Sequence, residues 1–189
     1  GHTIPPHRIN YRANIWAIKH LGVRRVIAVA AVGSITEEVK PGEIAFPDQI
    51  IDYTYDRAQT FFDDDEVRHI DFTIPYCSHL RSILKSAAQE VDIKAFDGGV
   101  YGATQGPRLE TAAEIRRMRQ DGCDYVGMTG MPEAALAREL DLSYSTCAVS
   151  ANWAAGMFNE TISMKEIQAN VDRGMSKVRT LLAKVVEIA

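Results

Sequence analysis

The feature that most limits the possible folds is an unbroken apolar run from Val26 to Ala31. A strand that is covered on both faces has this pattern, and such strands occur mainly in the parallel sheets of α/β proteins. The run ends in the small residues Val32, Gly33 and Ser34, which let a ligand approach the backbone closely. An ordinary turn at Gly33 and Ser34 is the alternative interpretation. The run therefore predicts an α/β fold with a buried strand and a candidate ligand site at its end.

A shorter apolar run, Tyr125–Gly127, lies between two predicted helices. The first helix begins at Thr111, where Glu114 three residues later completes a capping-box pattern. The second helix has Pro132 in its first turn. The residues 129–130 thus lie between the end of a strand and a helix N-terminus. Backbone N–H groups and the helix dipole favour an anion at such a position.

Periodicity and apolar runs predict three further helices and three further strands. These are helices over 9–20, over 76–91 and from 163 onward, and strands over 43–47, 96–104 and 142–151. Residues 53–74 are polar and aromatic, and their acidic run is interpreted as a solvated loop rather than a cation site. We expect a single α/β domain over residues 1–189, with further sequence upstream of the first residue.

Charge and cysteine content limit the partners and the compartment. The formal net charge is −4, which is unlike the basic footprint of a nucleic-acid-binding protein. No apolar run reaches membrane-spanning length, and no signal peptide is visible. The three cysteines are odd in number and lie in or beside apolar segments, which suits a reducing compartment. We therefore expect a cytoplasmic protein with a small-molecule partner and neither nucleic acid nor membrane.

Three predicted strand ends converge on one edge of the predicted sheet, and they are residues 31–34, 128–130 and 152–156. They offer backbone amides, the Met128 thioether, the Thr129 hydroxyl and the Asn152 carboxamide. Glu110 follows a Gly-Pro turn nearby. Walker, dinucleotide-binding, nucleophile-elbow and zinc-ligand patterns are absent from the sequence. The set suits a polar, uncharged heterocycle together with an anion better than a metal or a hydride cofactor.

Several longer motifs carry a resemblance to a known family: HTIPPH, PGEI, TQGPRLET and VGMTGMPEAALARELDL. With them nearly the whole chain resembles the trimeric purine nucleoside phosphorylase and methylthioadenosine phosphorylase family, and it looks most similar to the bacterial methylthioinosine phosphorylase branch. The resemblance implies a homotrimer whose subunit is a three-layer α/β/α sandwich with a mixed, partly barrel-like sheet. It also implies phosphorolysis, in which a purine nucleoside and inorganic phosphate give the free base and ribose 1-phosphate or its 5-methylthio analogue. Phosphate is then a co-substrate, and no cofactor is expected.

The resemblance implies roles for the residues at the predicted strand ends. Ala31 would offer a backbone amide to phosphate, Thr129 its hydroxyl, and His2 would lie near phosphate and sugar. Thr129 also has the position of a helix N-cap, and the two roles can coexist. Met128 would pack on the ribose, with core filling as the alternative. Because the transition state resembles an oxocarbenium ion, placed hydrogen bonds to phosphate and to the departing base are expected to stabilise it.

Asn152 and Glu110 indicate which purine is bound, and both are expected to be catalytic. A 6-oxopurine presents O6, an acceptor, beside N7–H, and asparagine can donate to one and accept from the other. Glu110 falls where 6-oxopurine-selective members place a glutamate that accepts from N1–H. The alternative is that Glu110 only favours the following helix N-terminus. The further substrate-binding residues implied by the resemblance are Leu109, Trp153 and Ala154.

The 5′ end of the nucleoside is less well defined by the sequence. His69 lies in a segment that in the family reaches the site of the neighbouring subunit. Glu166 lies near the family's 5′-recognition positions, although its interpretation as the glutamate of a capping box with Ser163 is stronger. The sequence therefore leaves 5′-methylthio and 5′-hydroxyl substrates open.

Two alternative functions also stay open at this point. One is an S-methyl-5′-thioadenosine phosphorylase. The other is a truncated nucleoside-binding or assembly subunit without turnover, because the family's glycine-rich turn and a phosphate-binding arginine lie upstream of the segment that begins this sequence.

Overall fold

The structure is a computed structural model that describes residues 3–63, 66–158 and 163–188. Within these residues five α-helices and seven β-strands follow one another. The helices are α1 (Tyr11–His20), α2 (Ser78–Glu90), α3 (Ala112–Gln120), α4 (Gly130–Glu139) and α5 (Met164–Ile188). The strands are β1 (Arg25–Ser34), β2 (Ile44–Phe46), β3 (Gln49–Asp52), β4 (Ala95–Asp97), β5 (Val100–Ala103), β6 (Tyr125–Gly127) and β7 (Ser143–Trp153).

The strands form one mixed sheet in the order β3-β5-β6-β1-β7-β2-β4. Its centre is the parallel pair β1 and β7, which runs from Arg25 opposite Ser143 to Ser34 opposite Trp153. On the other side of β1 lies β6, which is antiparallel to it. The apolar run 26–31 therefore lies in the central strand, as predicted.

Side chains that alternate along β7 enter two different hydrophobic clusters. Cys147 and Val149 belong to the cluster that holds residues of α2 and α5. Tyr144 and Ala148 belong to the cluster that holds residues of α1 and α4. Because successive side chains of a strand point to opposite faces, the two helix pairs cover opposite faces of the sheet. The predicted α/β sandwich with a mixed, partly barrel-like sheet is confirmed.

The predicted capping box at the start of α3 is confirmed. The Thr111 hydroxyl accepts a hydrogen bond from the Glu114 backbone N–H at 3.2 Å, and the Glu114 carboxylate accepts one from the Thr111 N–H at 2.7 Å. A cap of this kind stabilises a helix by about 1 kcal/mol. Arg108 donates two hydrogen bonds to Glu114, and this ion pair, together with the Thr111 N–H, lowers the pKa of Glu114 to about 2.

Two boundaries differ from the sequence expectation. Gly33 and Ser34 do not form the turn considered as an alternative, because both are paired within β1 to β6 and to β7. The strand predicted over 96–104 is two strands, β4 and β5. Gly98 and Gly99 separate them with positive φ values of 109° and 95°, a backbone region that glycine enters without steric cost and that no regular strand uses.

Candidate active site

Three chain segments meet around Gly33, but one of them runs in an unexpected direction. Gly33 lies opposite Val126 of β6 and opposite Asn152 of β7. The parallel strands β1 and β7 end at the same edge of the sheet. Because β6 is antiparallel to β1, its end leads back toward Ala31 instead. The convergence predicted at one edge is correct for β1 and β7 and wrong for β6, since a local apolar pattern does not encode strand direction.

Ala31 is exposed although it belongs to the central strand. Its neighbour Ala30 is buried on the opposite face, in the cluster with α1 and α4. The ladder between β1 and β6 covers Gly33 and Ser34, so Ala31 lies upstream of it. A small exposed side chain beside an open stretch of strand leaves the backbone accessible to a small anion.

The segment that follows β6 carries Met128 and Thr129, which are both half-buried. Thr129 has the N-cap position of α4, but its side chain makes no capping hydrogen bond. Met131 is extended, with φ −122° and ψ 141°, so the regular helix begins only at Pro132. Since the effect of a helix dipole falls off within the first turn, the helix contributes less to anion binding here than the sequence suggested. The Thr129 hydroxyl, in contrast, is not used by the helix cap.

A buried tyrosine, Tyr101, shapes the backbone on both sides of Met128. A Cβ atom at Gly127 would overlap the Tyr101 hydroxyl oxygen, and one at Gly130 would lie 2.9 Å from its ring. The Met128 side chain itself packs closely on Gly106, where a Cβ atom would overlap the Met128 sulfur. Burial raises the pKa of Tyr101 to about 12, so this side chain is a neutral phenol near pH 7.

Glu110 is held at the end of β6 and not at the N-terminus of α3. The Thr104 hydroxyl donates to Glu110 Oε1 at 2.7 Å, and the Thr104 N–H donates to the Gly127 carbonyl at 2.8 Å. The helix cap is formed by Glu114 instead, so the alternative that Glu110 only serves the helix is disfavoured. The bond from Thr104 engages one carboxylate oxygen, and the other is oriented by it.

Asn152 lies half-buried at the end of β7. Its Nδ2 donates one hydrogen to the Trp153 carbonyl at 2.7 Å, and the amide carries a second N–H that can donate to a ligand acceptor. The Trp153 ring is tilted against Phe158, with ring centroids 4.9 Å apart. Ala154 is buried beside Gly33, where an added Cβ atom would lie 3.5 Å from the Ala154 Cα.

The turn after Ala154 returns to the start of α3. A Cβ atom at Gly156 would lie 2.5 Å from the Ala112 Cβ. Ala112 follows Glu110 by two residues, so this contact places the segment after Asn152 next to the segment that carries Glu110. The structure thus brings the two predicted base-contacting segments into one neighbourhood.

A cavity of about 270 Å³ opens beside Glu110. Its walls include Tyr55, Thr104, Gly106, Arg108 and Glu110. Leu109 lies next to these residues in the chain and is 43% exposed. The remaining predicted site residues that the structure describes lie outside its walls: Ala31, His69, Met128, Thr129, Asn152, Trp153, Ala154 and Glu166.

The residues predicted for the 5′ end are exposed. His69 lies in the loop between β3 and α2, and Glu166 lies in the first turn of α5. His2, predicted near phosphate, lies outside the described residues. These three roles remain predictions.

Two residues near the site were missed by the sequence analysis. Thr104, which orients Glu110, belongs to the TQGPRLET motif but was given no role. Arg57 is 8% exposed and donates hydrogen bonds to the Met128 and Thr104 carbonyls. A single arginine in a polar loop gives no local signal that it is buried.

Across residues 3–63, 66–158 and 163–188, His, Cys, Asp and Glu form no group of three or more that could hold a metal ion. None of the described helices is long and apolar enough to cross a membrane. The three cysteines are free.

Comparison with known proteins links this geometry to one family. The profile of the Phosphorylase superfamily matches residues 1–187. A probable S-methyl-5′-thioinosine phosphorylase of Xanthomonas campestris pv. campestris is 52% identical over 188 residues, which are 98% of this chain and 75% of that protein. A 6-oxopurine nucleoside phosphorylase of Pyrococcus furiosus is 51% identical over 174 residues, which are 88% of this chain and 66% of that protein.

Solved structures show the same arrangement of the backbone. Methylthioadenosine phosphorylase from Schistosoma mansoni in complex with adenine superposes with a TM-score of 0.95 at 30% sequence identity. The superposition covers 100% of this chain and 73% of that one.

Proposed function

This chain belongs to the phosphorylase superfamily, and from that premise we propose that its substrates are 6-oxopurine nucleosides, with S-methyl-5′-thioinosine foremost. The chain is a purine nucleoside phosphorylase, a pentosyltransferase. A phosphate oxygen forms a bond to C1′ of the sugar while the glycosidic bond breaks and its electron pair leaves with the purine. The proton that hydrogenphosphate loses in forming the ester balances the proton that the purine gains at N7. The products are the free base and 5-methylthioribose 1-phosphate. The observation that carries the choice of substrate is the Glu110 carboxylate, held by the Thr104 hydroxyl beside the cavity.

Phosphate would bind where β1 and the segment after β6 lie side by side. Ala31 is exposed in the central strand, and the Thr129 hydroxyl is not used by the helix cap. A hydroxyl and a backbone N–H both donate to phosphate oxygens. His2 is included in this proposal from the family resemblance. Met128, half-buried beside Thr129, would pack against the sugar.

Two residues would recognise the hydrogen-bonding edge of the purine. Asn152 can both donate and accept, and Glu110 can only accept. The Glu110 carboxylate would accept a hydrogen bond from N1–H of a 6-oxopurine, whereas N1 of a 6-aminopurine carries no proton and offers the carboxylate no donor. Asn152 can donate to O6 and accept from N7–H. Leu109, Trp153 and Ala154 would line the base and sugar. A site whose polar groups match the edge of a 6-oxopurine rejects a 6-aminopurine, because binding the 6-aminopurine leaves buried polar groups unpaired.

A methylthioadenosine phosphorylase remains the rival enzyme. The Schistosoma mansoni protein of that name shares the fold at 30% identity, whereas relatives near 52% identity are named for the thioinosine nucleoside. Asn152 and Glu110 favour the second group on chemical grounds. The family assignment supports an enzyme over the non-catalytic subunit considered from the sequence.

The test of this proposal is an assay with four nucleosides. We expect the full-length protein to release hypoxanthine from methylthioinosine only when phosphate is present, and to do so faster than it releases adenine from methylthioadenosine. Inosine and adenosine, assayed in parallel, separate the choice of base from the choice of 5′ group. Base release that does not depend on phosphate would contradict phosphorolysis.

We also propose a cytoplasmic homotrimer in which the loop 53–74 contacts a neighbouring subunit. Three large apolar side chains of this loop are strongly exposed: Tyr55 at 62%, Val67 at 81% and Ile74 at 60%. Large apolar side chains that are exposed in one subunit suit burial against another protein surface. His69 in the same loop would then reach the 5′ end of a nucleoside bound to the neighbour, together with Glu166.

Light scattering should give a mass three times that of one subunit, because the exposed apolar loop is buried in the assembly. His69→Ala should weaken discrimination at the 5′ end more than discrimination between bases. A compact monomer with full activity would rule out this part of the proposal.

A further inference from the structure

Arg57 is a buried charged side chain in a loop that otherwise lies near the surface. It is 8% exposed, and none of the ion pairs among the described residues involves it. A buried charge without a counter-ion is costly unless hydrogen bonds satisfy it. The Arg57 guanidinium donates to four backbone carbonyl oxygens and to two side-chain oxygens, those of Gln105 and Tyr11.

One side of the guanidinium holds the segment that positions Glu110. Arg57 Nη2 donates to the carbonyls of Thr104 at 3.1 Å and Gln105 at 2.9 Å. Arg57 Nε donates to Gln105 Oε1 at 3.0 Å, and Gln105 Nε2 donates in turn to the Tyr55 carbonyl at 2.9 Å. The residues 55–57 and 104–105 are therefore bound to each other through several hydrogen bonds.

The other side of the guanidinium holds the segment that follows β6. Arg57 Nη1 donates to the carbonyls of Met128 at 2.8 Å and Met131 at 2.6 Å, and it lies 3.3 Å from the Tyr11 hydroxyl. In a planar trans peptide the C=O and the following N–H point in opposite directions. The bond to the Met128 carbonyl thus fixes the Thr129 N–H on the side that faces away from Arg57.

We propose that Arg57 is a positioning residue that sets the distance between the purine-reading and phosphate-binding parts of the site. The inference rests on the proposed function. Arg57 touches neither substrate in this account. It acts through Thr104, whose hydroxyl holds Glu110, and through the peptide between Met128 and Thr129.

Lysine cannot replace arginine in this role. The five N–H groups of a guanidinium lie in a rigid plane and can serve both segments at once, whereas the three donors of an ammonium radiate from one atom. Arg57→Lys keeps the positive charge and loses the planar set of N–H donors. It therefore tests positioning separately from electrostatics.

We expect Arg57→Lys to lower the preference for methylthioinosine over methylthioadenosine, measured as a ratio of kcat/KM values, by about tenfold, and to raise the KM for phosphate. The matched control is Arg81→Lys, because Arg81 is also hydrogen-bonded and partly buried but pairs with Asp97 and Asp48. Its preference ratio should equal that of the unmodified enzyme. An unchanged ratio in folded Arg57→Lys would overturn the proposal.

A second comparison separates positioning from a general loss of stability. If Arg57 acts on the base through Glu110, Arg57→Lys should lower the preference ratio little further in an enzyme that already carries Glu110→Gln. A purely structural effect would lower the ratio equally in both backgrounds, and that result would contradict the proposal.

Hydrogen–deuterium exchange gives a readout that does not need activity. Amides of residues 104–106 and 128–131 should exchange faster in Arg57→Lys than in the unmodified protein, and the same amides should be unchanged in Arg81→Lys. Faster exchange in an enzyme that shows no phosphorolysis would support the positioning role while contradicting the proposed function. Unchanged exchange in both segments would contradict the positioning role whatever the activity.

Discussion

Replacing Thr129 by valine should raise the KM for phosphate or lower kcat by about ten- to a hundredfold while the protein stays folded. Valine has nearly the shape of threonine and lacks only the hydroxyl. A hydrogen bond to a charged group contributes about 1.5–3 kcal/mol. The Thr129 side chain makes no capping bond in α4, so the helix does not depend on the hydroxyl that is removed.

The matched control for this prediction is Thr180→Val. Thr180 lies in α5, and its hydroxyl donates to the Ser176 carbonyl at 3.4 Å. The same chemical change is made there at an exposed position that has no proposed contact with a substrate. Phosphate kinetics that are the same in folded, active Thr129→Val and in Thr180→Val would exclude Thr129 as a phosphate ligand.

Asn152→Asp should shift the preference toward 6-aminopurine nucleosides by about ten- to a hundredfold in the ratio of kcat/KM values. A carboxylate accepts from N6–H of adenine but cannot donate to O6 of hypoxanthine. A mismatched buried polar edge costs about 1–3 kcal/mol. The substitution also removes the donor that now binds the Trp153 carbonyl, which frees the side chain to turn toward the base.

Asn170→Asp is a close control for this change. Asn170 Nδ2 donates to the Ala151 carbonyl at 2.9 Å, so this variant also removes an amide donor from the backbone at the end of β7. We expect it to leave the choice of base unchanged. If the unmodified enzyme already prefers adenine nucleosides, the argument from Asn152 and Glu110 is wrong, although the family assignment stands.

The parts of the fold that were predicted correctly have local causes. The unbroken apolar run 26–31 marked the central strand, and the capping box at Thr111 and Glu114 marked a helix start, because both depend on a few neighbouring residues. The direction of β6 and the irregular start of α4 were not predicted. Strand direction is set by long-range pairing, and the extended backbone at Met131 is an arrangement that an apolar pattern does not reveal.

The roles of the candidate site residues stay predictions, and the contacts that organise these residues were not predicted. The family resemblance pointed to Glu110, Thr129 and Asn152, and the structure shows where each lies. The bond from Thr104 to Glu110 and the burial of Arg57 were not foreseeable from the sequence, because each joins residues from different parts of the fold or depends on burial inside a polar segment.

The close packing of Tyr101 against Gly127 and Gly130 also has a practical meaning for directed evolution. In a library that randomises residues 127–130 together, most variants would carry a side chain at position 127 or 130. Their Cβ atoms would collide with the Tyr101 side chain, because neither position has room for a Cβ atom. Diversity placed at Met128, with Thr129 and both glycines kept, would vary the proposed contact with the sugar without that loss. The packing of Tyr101 therefore decides which positions of the candidate site tolerate substitution.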